Sequence, residues 1–147
     1  MKNHTILFVE DSDDDAELTL MAFRIARVSN AIVRARDGVE ALDYLFARGQ
    51  YAHRDPSNLP EIVLLDLNLP RLSGIDVLKA IRAAPQTQLL PVVILTSSDE
   101  ERDRLAAYRH HANSYVRKPV DQEQFAAAAR DLGLYWLVLN RPPPATD

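Results

Sequence analysis

The 147-residue sequence predicts an α/β fold, a doubly wound five-stranded parallel sheet with helices on both faces. Two observations carry that prediction: short apolar runs recur along the chain, and segments with helical apolar spacing alternate with them. The runs are Ile6 to Val9, Ala31 to Val33, Ile62 to Leu65, Val92 to Leu95 and the weaker Ser114-Tyr115-Val116. Short uninterrupted runs of this kind suit parallel strands buried on both faces. Between them, Leu18, Met21, Ala22 and Ile25 predict a first helix, Leu42, Leu45 and Phe46 a second, and Ile75, Leu78 and Ile81 a third, of about five. Ligands of such sheets sit outside the carboxyl ends of the strands, so the chemistry is expected there.

The polar, turn-rich segment from Gln50 to Pro60 reads as an extended surface loop. Near the C-terminus, Phe125, Ala128, Ala129, Leu132, Tyr135, Trp136 and Leu139 keep one helical stripe until Pro142-Pro143-Pro144 forbids continuation. One domain is therefore expected over residues 1–140, including a long last helix, with a Pro-rich tail over 141–147. That helix also carries Leu134, Leu137 and Val138 off the main stripe, more apolar surface than one sheet face covers, which points to a partner or a second subunit. Gly133 within it costs about 1 kcal/mol relative to Ala and admits a bend.

Composition excludes several classes of function. Hydrophobic residues make up 47% and charged residues 26%, which rules out a disordered or fibrous chain. A formal charge of -4 without a Lys/Arg run disfavours nucleic acid as a partner. The absence of cysteine removes disulfides, thiolate metal sites and thiol catalysis together, leaving hard, oxygen-ligated metals. The first apolar run stops at Glu10, far short of a signal or membrane segment, so a cytoplasmic protein without a membrane partner is expected.

The strand ends deliver Glu10-Asp11, Asp66, Thr96 and Lys118 to one rim. Three carboxylates crowded within about 4 Å repel one another by several kcal/mol at an effective dielectric near 20, so their coexistence calls for a cation. An oxygen-only donor set suits Mg²⁺, commonly held by carboxylates together with phosphate oxygens. A carboxylate beside Mg²⁺ is a plausible phosphoryl acceptor, and an ammonium and a hydroxyl at the same rim can meet the transferred oxygens. Each residue also has a plainer reading. The acidic run can cap the following helix, Asp66 can be a solvated strand end, Lys118-Pro119 a turn, and Thr96-Ser97-Ser98 a cap before Asp99. Four coincidences at four rim positions favour the joint reading.

The segments Phe8-Val9-Glu10-Asp11-Ser12, Leu64-Leu65-Asp66-Leu67-Asn68-Leu69-Pro70, Leu95-Thr96-Ser97-Ser98 and Tyr115-Val116-Arg117-Lys118-Pro119 resemble the receiver domains of two-component response regulators. The likeness runs from about Thr5 to Phe125 in normal order and spacing and implies the flavodoxin-like fold of receivers. The stretch from Ala35 to Phe46, His111-Ala112-Asn113-Ser114-Tyr115 and Tyr135-Trp136 are similar to the small single-domain regulators of bacterial and cyanobacterial phytochromes. The resemblance implies that Asp66 is the phosphoacceptor, Asp11 a direct Mg²⁺ ligand, Glu10 a ligand through water, and the Asn68 backbone carbonyl the last protein ligand. It also implies that Thr96 and Lys118 contact the phosphoryl group, with a cis bond between Lys118 and Pro119, and that Tyr115 turns inward as Thr96 moves. Glu10 departs from the pattern, since many receivers carry Asp there and the extra methylene lengthens its reach.

The implied function is a stand-alone response regulator that takes a phosphoryl group from a sensor histidine kinase, a phytochrome, and assists its own phosphorylation and dephosphorylation without being a turnover enzyme. Asn68 and Ser98 flank the site and are expected to tune the phosphoryl lifetime. A homodimer is expected through the face of the fourth helix, fifth strand and fifth helix, joined by the C-terminal extension. Three rivals remain. A flavodoxin-like cofactor binder needs a phosphate cradle where Glu10-Asp11-Ser12-Asp13-Asp14-Asp15 repels phosphate. A phosphohydrolase needs a second carboxylate that Asp66-Leu67-Asn68 lacks. The third is a receiver-like interaction module that works without phosphorylation. His110-His111 is expected to be surface rather than a zinc pair, because adjacent helical side chains diverge. Tyr135-Trp136 belongs to core or interface.

Overall fold

The computed structural model describes residues 5–25, 30–96, 106 and 108–117. Strands β1 (Ile6–Val9), β2 (Ile32–Ala35), β3 (Ile62–Asp66), β4 (Val92–Thr96) and β5 (Ser114–Arg117) pair in the order β2-β1-β3-β4-β5. Every pair is parallel, with Ile6 opposite both Ile32 and Ile62, Leu64 opposite Val93, and Val93 opposite Ser114. This is the doubly wound sheet the sequence predicts. The chain leaves β1 for one side, returns, and enters β3 on the other, so the loops after β1 and β3 diverge and open a crevice between them.

Alternate residues of β1 serve the two faces. Leu7 and Val9 join Val63, Leu65, Val92 and Ile94 in a core closed by helices α2 (Gly38–Phe46) and α3 (Gly74–Ala83), which contribute Ala41, Leu45, Val77, Leu78 and Ile81. Phe8 faces the other way and meets Phe23 of α1 (Asp13–Ile25) edge to face, with ring centroids 6.2 Å apart. Helices therefore cover both faces. The buried side of α1 is Ala16, Thr19, Ala22 and Phe23, whereas Leu18 and Met21, expected to face inward, are 53% and 45% exposed. Phe23 sets the rotation of this helix, because its ring fills the space above Phe8 and draws Thr19 inward one turn earlier.

β2 begins one residue later than its apolar run and continues through Arg34 to Ala35. As an edge strand it can carry a charged residue whose head reaches past the sheet. The segment expected as an extended surface loop is folded back onto α2. Gly49–Tyr51 form a 3-10 turn, the Tyr51 ring stands edge-on to Tyr44 at 5.1 Å, and the Tyr51 hydroxyl donates to Glu40 Oε2 at 2.9 Å. Arg54 lies 3.8 Å over the Tyr44 ring and donates to the carbonyls of Tyr44 and Asn58. At the opposite end of the sheet, Arg82 of α3 spends its guanidinium on the carbonyls of His111, Gln88 and Leu90 and on Asn113 Oδ1, at 2.7 to 3.1 Å. Asn113 Oδ1 also accepts from Val92 N–H, so one side chain ties α3 to the start of both β4 and β5. His110 is half-buried and His111 exposed, the latter at a positive φ of 65° that ends the helical turn before β5.

Burial, reinforced by the hydrogen bond to Glu40, pushes the Tyr51 phenol from 10.0 up to about 12. The folded state thus favours the neutral phenol, a contribution complete below pH 10 and lost as the pH rises toward about 12. A phenolate absorbance titration is expected to show one tyrosine ionising late, and Tyr51→Phe to delete that step.

Candidate functional site

The rim of the crevice is built from the two loops that diverge there. β1 ends at Val9, and the next residues turn sharply because Ser12 starts α1: its hydroxyl accepts from Asp15 N–H at 3.2 Å and its carbonyl from Ala16 N–H at 2.9 Å. Asp13, Asp14 and Asp15 occupy the first turn, where the helix dipole favours negative charge. The acidic run therefore divides in two. Ser12 and the residues after it serve the helix, while Glu10 and Asp11 stay outside and turn toward the end of β3.

There, carboxylate oxygens of Glu10, Asp11 and Asp66 lie within 4.8 Å of one another. Glu10 is fully buried and Asp66 is 4% exposed, while Asp11 opens to solvent. At this spacing each charged pair repels by about 3 kcal/mol at an effective dielectric near 20. Backbone amides offset part of that cost: Ser12 N–H donates to Glu10 Oε2 and Asn68 N–H to Asp66 Oδ1, both at 3.2 Å. The donor set is all oxygen, partly buried and open on the Asp11 side, which suits a hard divalent cation that keeps some of its water.

The β3–α3 loop holds Asp66 by close packing. Gly74, first residue of α3 after the Ser73 cap, sits so near β3 that a Cβ on it would lie 2.3 Å from the Asp66 carbonyl oxygen and 2.6 Å from Leu67 Cα. Its N–H donates to the Leu67 carbonyl at 3.0 Å. Between them the chain makes a tight turn in which Leu72 N–H reaches the Pro70 carbonyl at 2.7 Å and Arg71 adopts a φ of 68°, strained for a residue with a side chain. Arg71 then pairs with Asp37 at 3.2 Å, and Asp37 caps α2 by accepting from Glu40 N–H at 2.7 Å. Gly38 passes directly beneath the Leu72 carbonyl, where a Cβ would come to 2.4 Å. The loops after β2 and β3 are thereby locked together.

On the other flank, Arg34 donates through Nε and Nη2 to the Glu10 carbonyl at 3.0 and 2.9 Å and through Nη1 to Asp13 at 2.9 Å. Arg36 meets the same Asp13 oxygen at 2.7 Å. The hydrogen bond from Arg36, followed by that from Arg34, holds the Asp13 carboxyl below its usual 3.8.

Of the residues singled out in the sequence, Glu10, Asp11 and Asp66 converge and Asn68 contacts Asp66 through its N–H. Thr96 closes β4 one residue beyond Leu95, the register partner of Asp66. Tyr115 lies in β5 beside Ile94. The Thr96 and Tyr115 side chains, Ser98, Lys118, Pro119, Phe125, Gly133, Tyr135, Trp136 and the rest of the C-terminal helix lie outside the described residues. Sequence reasoning missed Gly74 and Arg34. The Ser73-x-x-Asp76 spacing is a helix-start signal that would have placed Gly74 at the first turn, but nothing in it foretells how close β3 comes.

Residues 6–130 match the model of the response regulator receiver domain. The chain belongs to the response regulator receiver family. Among solved structures, this receiver superposes on the bacteriophytochrome response regulator RtBRR with a TM-score of 0.85 and 46% identity, over 99% of this chain and 87% of that one. The "Probable methanogenesis regulatory protein FilR2" of Methanothrix harundinacea is 38% identical over 94% of this chain and 86% of its own. Response regulator Rcp1 of Synechocystis is 34% identical over 95% of this chain and 93% of its own. Its Mn²⁺-bound structure gives a TM-score of 0.74 at 31% identity, over 97% and 99% of the two chains. The receiver thus matches relatives of its own size nearly end to end, and among the described residues no helix is long and apolar enough to cross a membrane.

Gly74→Ala is expected to destabilise the receiver by about 2 kcal/mol, because the methyl group meets backbone rather than a side chain that can move. Urea unfolding with and without Mg²⁺ measures that loss and any displacement of Asp66 that accompanies it.

Proposed function

We propose that the protein accepts a phosphoryl group on Asp66 from the phosphohistidine of a sensor histidine kinase, a phytochrome, in a Mg²⁺-dependent reaction, and signals by phosphorylation-dependent protein–protein interaction. The observation that carries the reading is the convergence of Glu10, Asp11 and Asp66 at the crevice between β1 and β3. Similarity to RtBRR over almost the whole chain supports the choice of a phytochrome, and the Mn²⁺-bound state of Rcp1 supports a divalent cation.

An Asp66 carboxylate oxygen attacks phosphorus in line. The new P–O bond forms as the P–N bond to the donor imidazole breaks, and the imidazole leaves with the bonding pair and takes up a proton. Asp66 is held for this attack by Asn68 N–H on one oxygen and by the Gly74 backbone packed beneath it. Asp11, Asp66 and the Asn68 carbonyl, with Glu10 through water, would hold Mg²⁺, which would supply the positive charge needed for a dianionic phosphoryl group to approach three carboxylates. Thr96 and Lys118 meet the remaining oxygens, and the added charge draws Thr96 inward with Tyr115 following. The product is a modified receiver rather than a released compound, so the protein is not a turnover enzyme. The changed face, β5 with the fourth and C-terminal helices expected from the sequence, is the surface offered to a second copy or a downstream protein.

Intact mass after incubation with a small acyl phosphate tests the chemistry. A single phosphoryl adduct is expected in Mg²⁺ and not in chelator, and is lost in Asp66→Asn. A folded wild type that gains no adduct from the acyl phosphate or from a phytochrome kinase would leave a phosphorylation-independent interaction module. Light scattering at high micromolar concentration checks the dimer, which a monomer in both phosphorylation states would exclude.

A further inference from the structure

We infer that Arg34 is a positioning residue for the cation site, holding the turn that carries Glu10 and Asp11 without touching the cation itself. The inference rests on the cation-binding reading of Glu10, Asp11 and Asp66 and assigns a role to a residue on a different strand. Glu10 has its backbone fixed from both sides by β2: its N–H donates to the Ala35 carbonyl at 2.9 Å, and its carbonyl accepts two bonds from the Arg34 fork at 2.9 and 3.0 Å. With the peptide on each side of Glu10 held, its fully buried side chain leaves β1 in one direction and the following residue, Asp11, in another. Both are then presented to Asp66 with oxygens inside 4.8 Å.

The third arm of the same guanidinium does something different. Nη1 takes Asp13 at 2.9 Å, and Arg36 takes the same oxygen at 2.7 Å, so the acid nearest the cluster in sequence is drawn outward against two cations. Arg34 therefore contacts both parts of the acidic run, the pair that converges and the first of the acids that do not. Arg36 shares only the hold on Asp13. Its side chain is 61% exposed, against 21% for Arg34, and among the described residues its guanidinium donates to Asp13 and not to the Glu10 carbonyl. Lysine cannot reproduce the hold on that carbonyl. Its ammonium is a point charge on a flexible stem, whereas the guanidinium presents planar donors to two acceptors at once.

Charge and geometry pull in opposite directions, which makes the test decisive. A cation at position 34 repels a bound metal, so removing it as charge alone tightens binding; removing it as a clamp loosens binding. Mn²⁺ titration of the full chain, with free Mn²⁺ read by electron paramagnetic resonance, measures affinity without phosphorylation. Arg34→Lys keeps the charge and is expected to weaken Mn²⁺ binding about tenfold, the scale of lost outer-shell contacts to metal ligands. Arg34→Met is expected to weaken it too, and Arg36→Lys to leave it at the wild-type value. The circular dichroism spectrum of each variant at the titration temperature establishes that it is folded. Wild-type affinity in Arg34→Lys, tighter binding in Arg34→Met, or an equal loss in Arg36→Lys would each overturn the inference while leaving the cation site intact. A folded wild type that takes up no Mn²⁺ at millimolar concentration would overturn the site and the inference together.

Discussion

Three carboxylates held within 4.8 Å of one another, two of them buried, are the constraint around which the rest of this molecule is arranged. Left to themselves these charges separate, since each pair gains about 3 kcal/mol by moving apart at an effective dielectric near 20. The chain opposes that with backbone rather than with flexible side chains. Glu10 is trapped between two bonds to β2, Asp66 stands on a glycine that leaves no room beneath it, and amides of Ser12 and Asn68 point into the cluster. A fold that holds like charges together in this way stores an affinity for cations, because a bound divalent ion relieves a repulsion already established in its absence.

The means of holding are distributed over three loops. Asp37 caps α2 and grips Arg71; Gly38 lies under Leu72; Arg71 accepts a strained backbone that folds the chain back to Ser73, which caps α3. Removing one of these contacts leaves others that span the same gap, so single losses are expected to loosen the site before they unfold the domain. The far end of the sheet is secured separately. Arg82 satisfies carbonyls from the loop before β4 and the turn before β5 with one guanidinium, in a place where burial lowers its pKa.

The alternation of strands and helices, the two-sided burial of β1 and the acids at the rim are all legible in the sequence, because uninterrupted apolar runs and the residue that ends each one are local signals. Register and rotation are less so. Leu18 and Met21 have helical spacing as good as that of Ala16, Thr19 and Phe23, and only the fit of Phe23 against Phe8 chooses between the two stripes. Arg34 follows an apolar run and so reads as the end of a strand; its contribution depends on a carbonyl 24 positions away. Gly74 likewise gains its meaning from β3, not from its neighbours. The packing of Tyr51 and Arg54 onto Tyr44 is invisible at the sequence level, because a polar, turn-rich segment reads as solvated whenever its aromatic partner lies on another element.

The distribution of these restraints also bears on where a phosphoryl group on Asp66 would be felt. It would replace the single charge of the Asp66 carboxylate with the nearly two of an acyl phosphate, a net gain of about one negative charge in a cluster of three carboxylates. The loops after β1, β2 and β3 are tied to one another through Arg34, through Asp37 and Arg71, and through the two glycines, so they have little freedom to recoil. Thr96 stands on the other side of Asp66, at the end of β4, one residue past its register partner. A charge that cannot displace the β1 and β2 side would act on the β4 side instead, and β4 pairs with β5, where Tyr115 lies beside Ile94. On the proposed function, the stiffness of one half of the rim would direct the response toward the half that ends in Thr96.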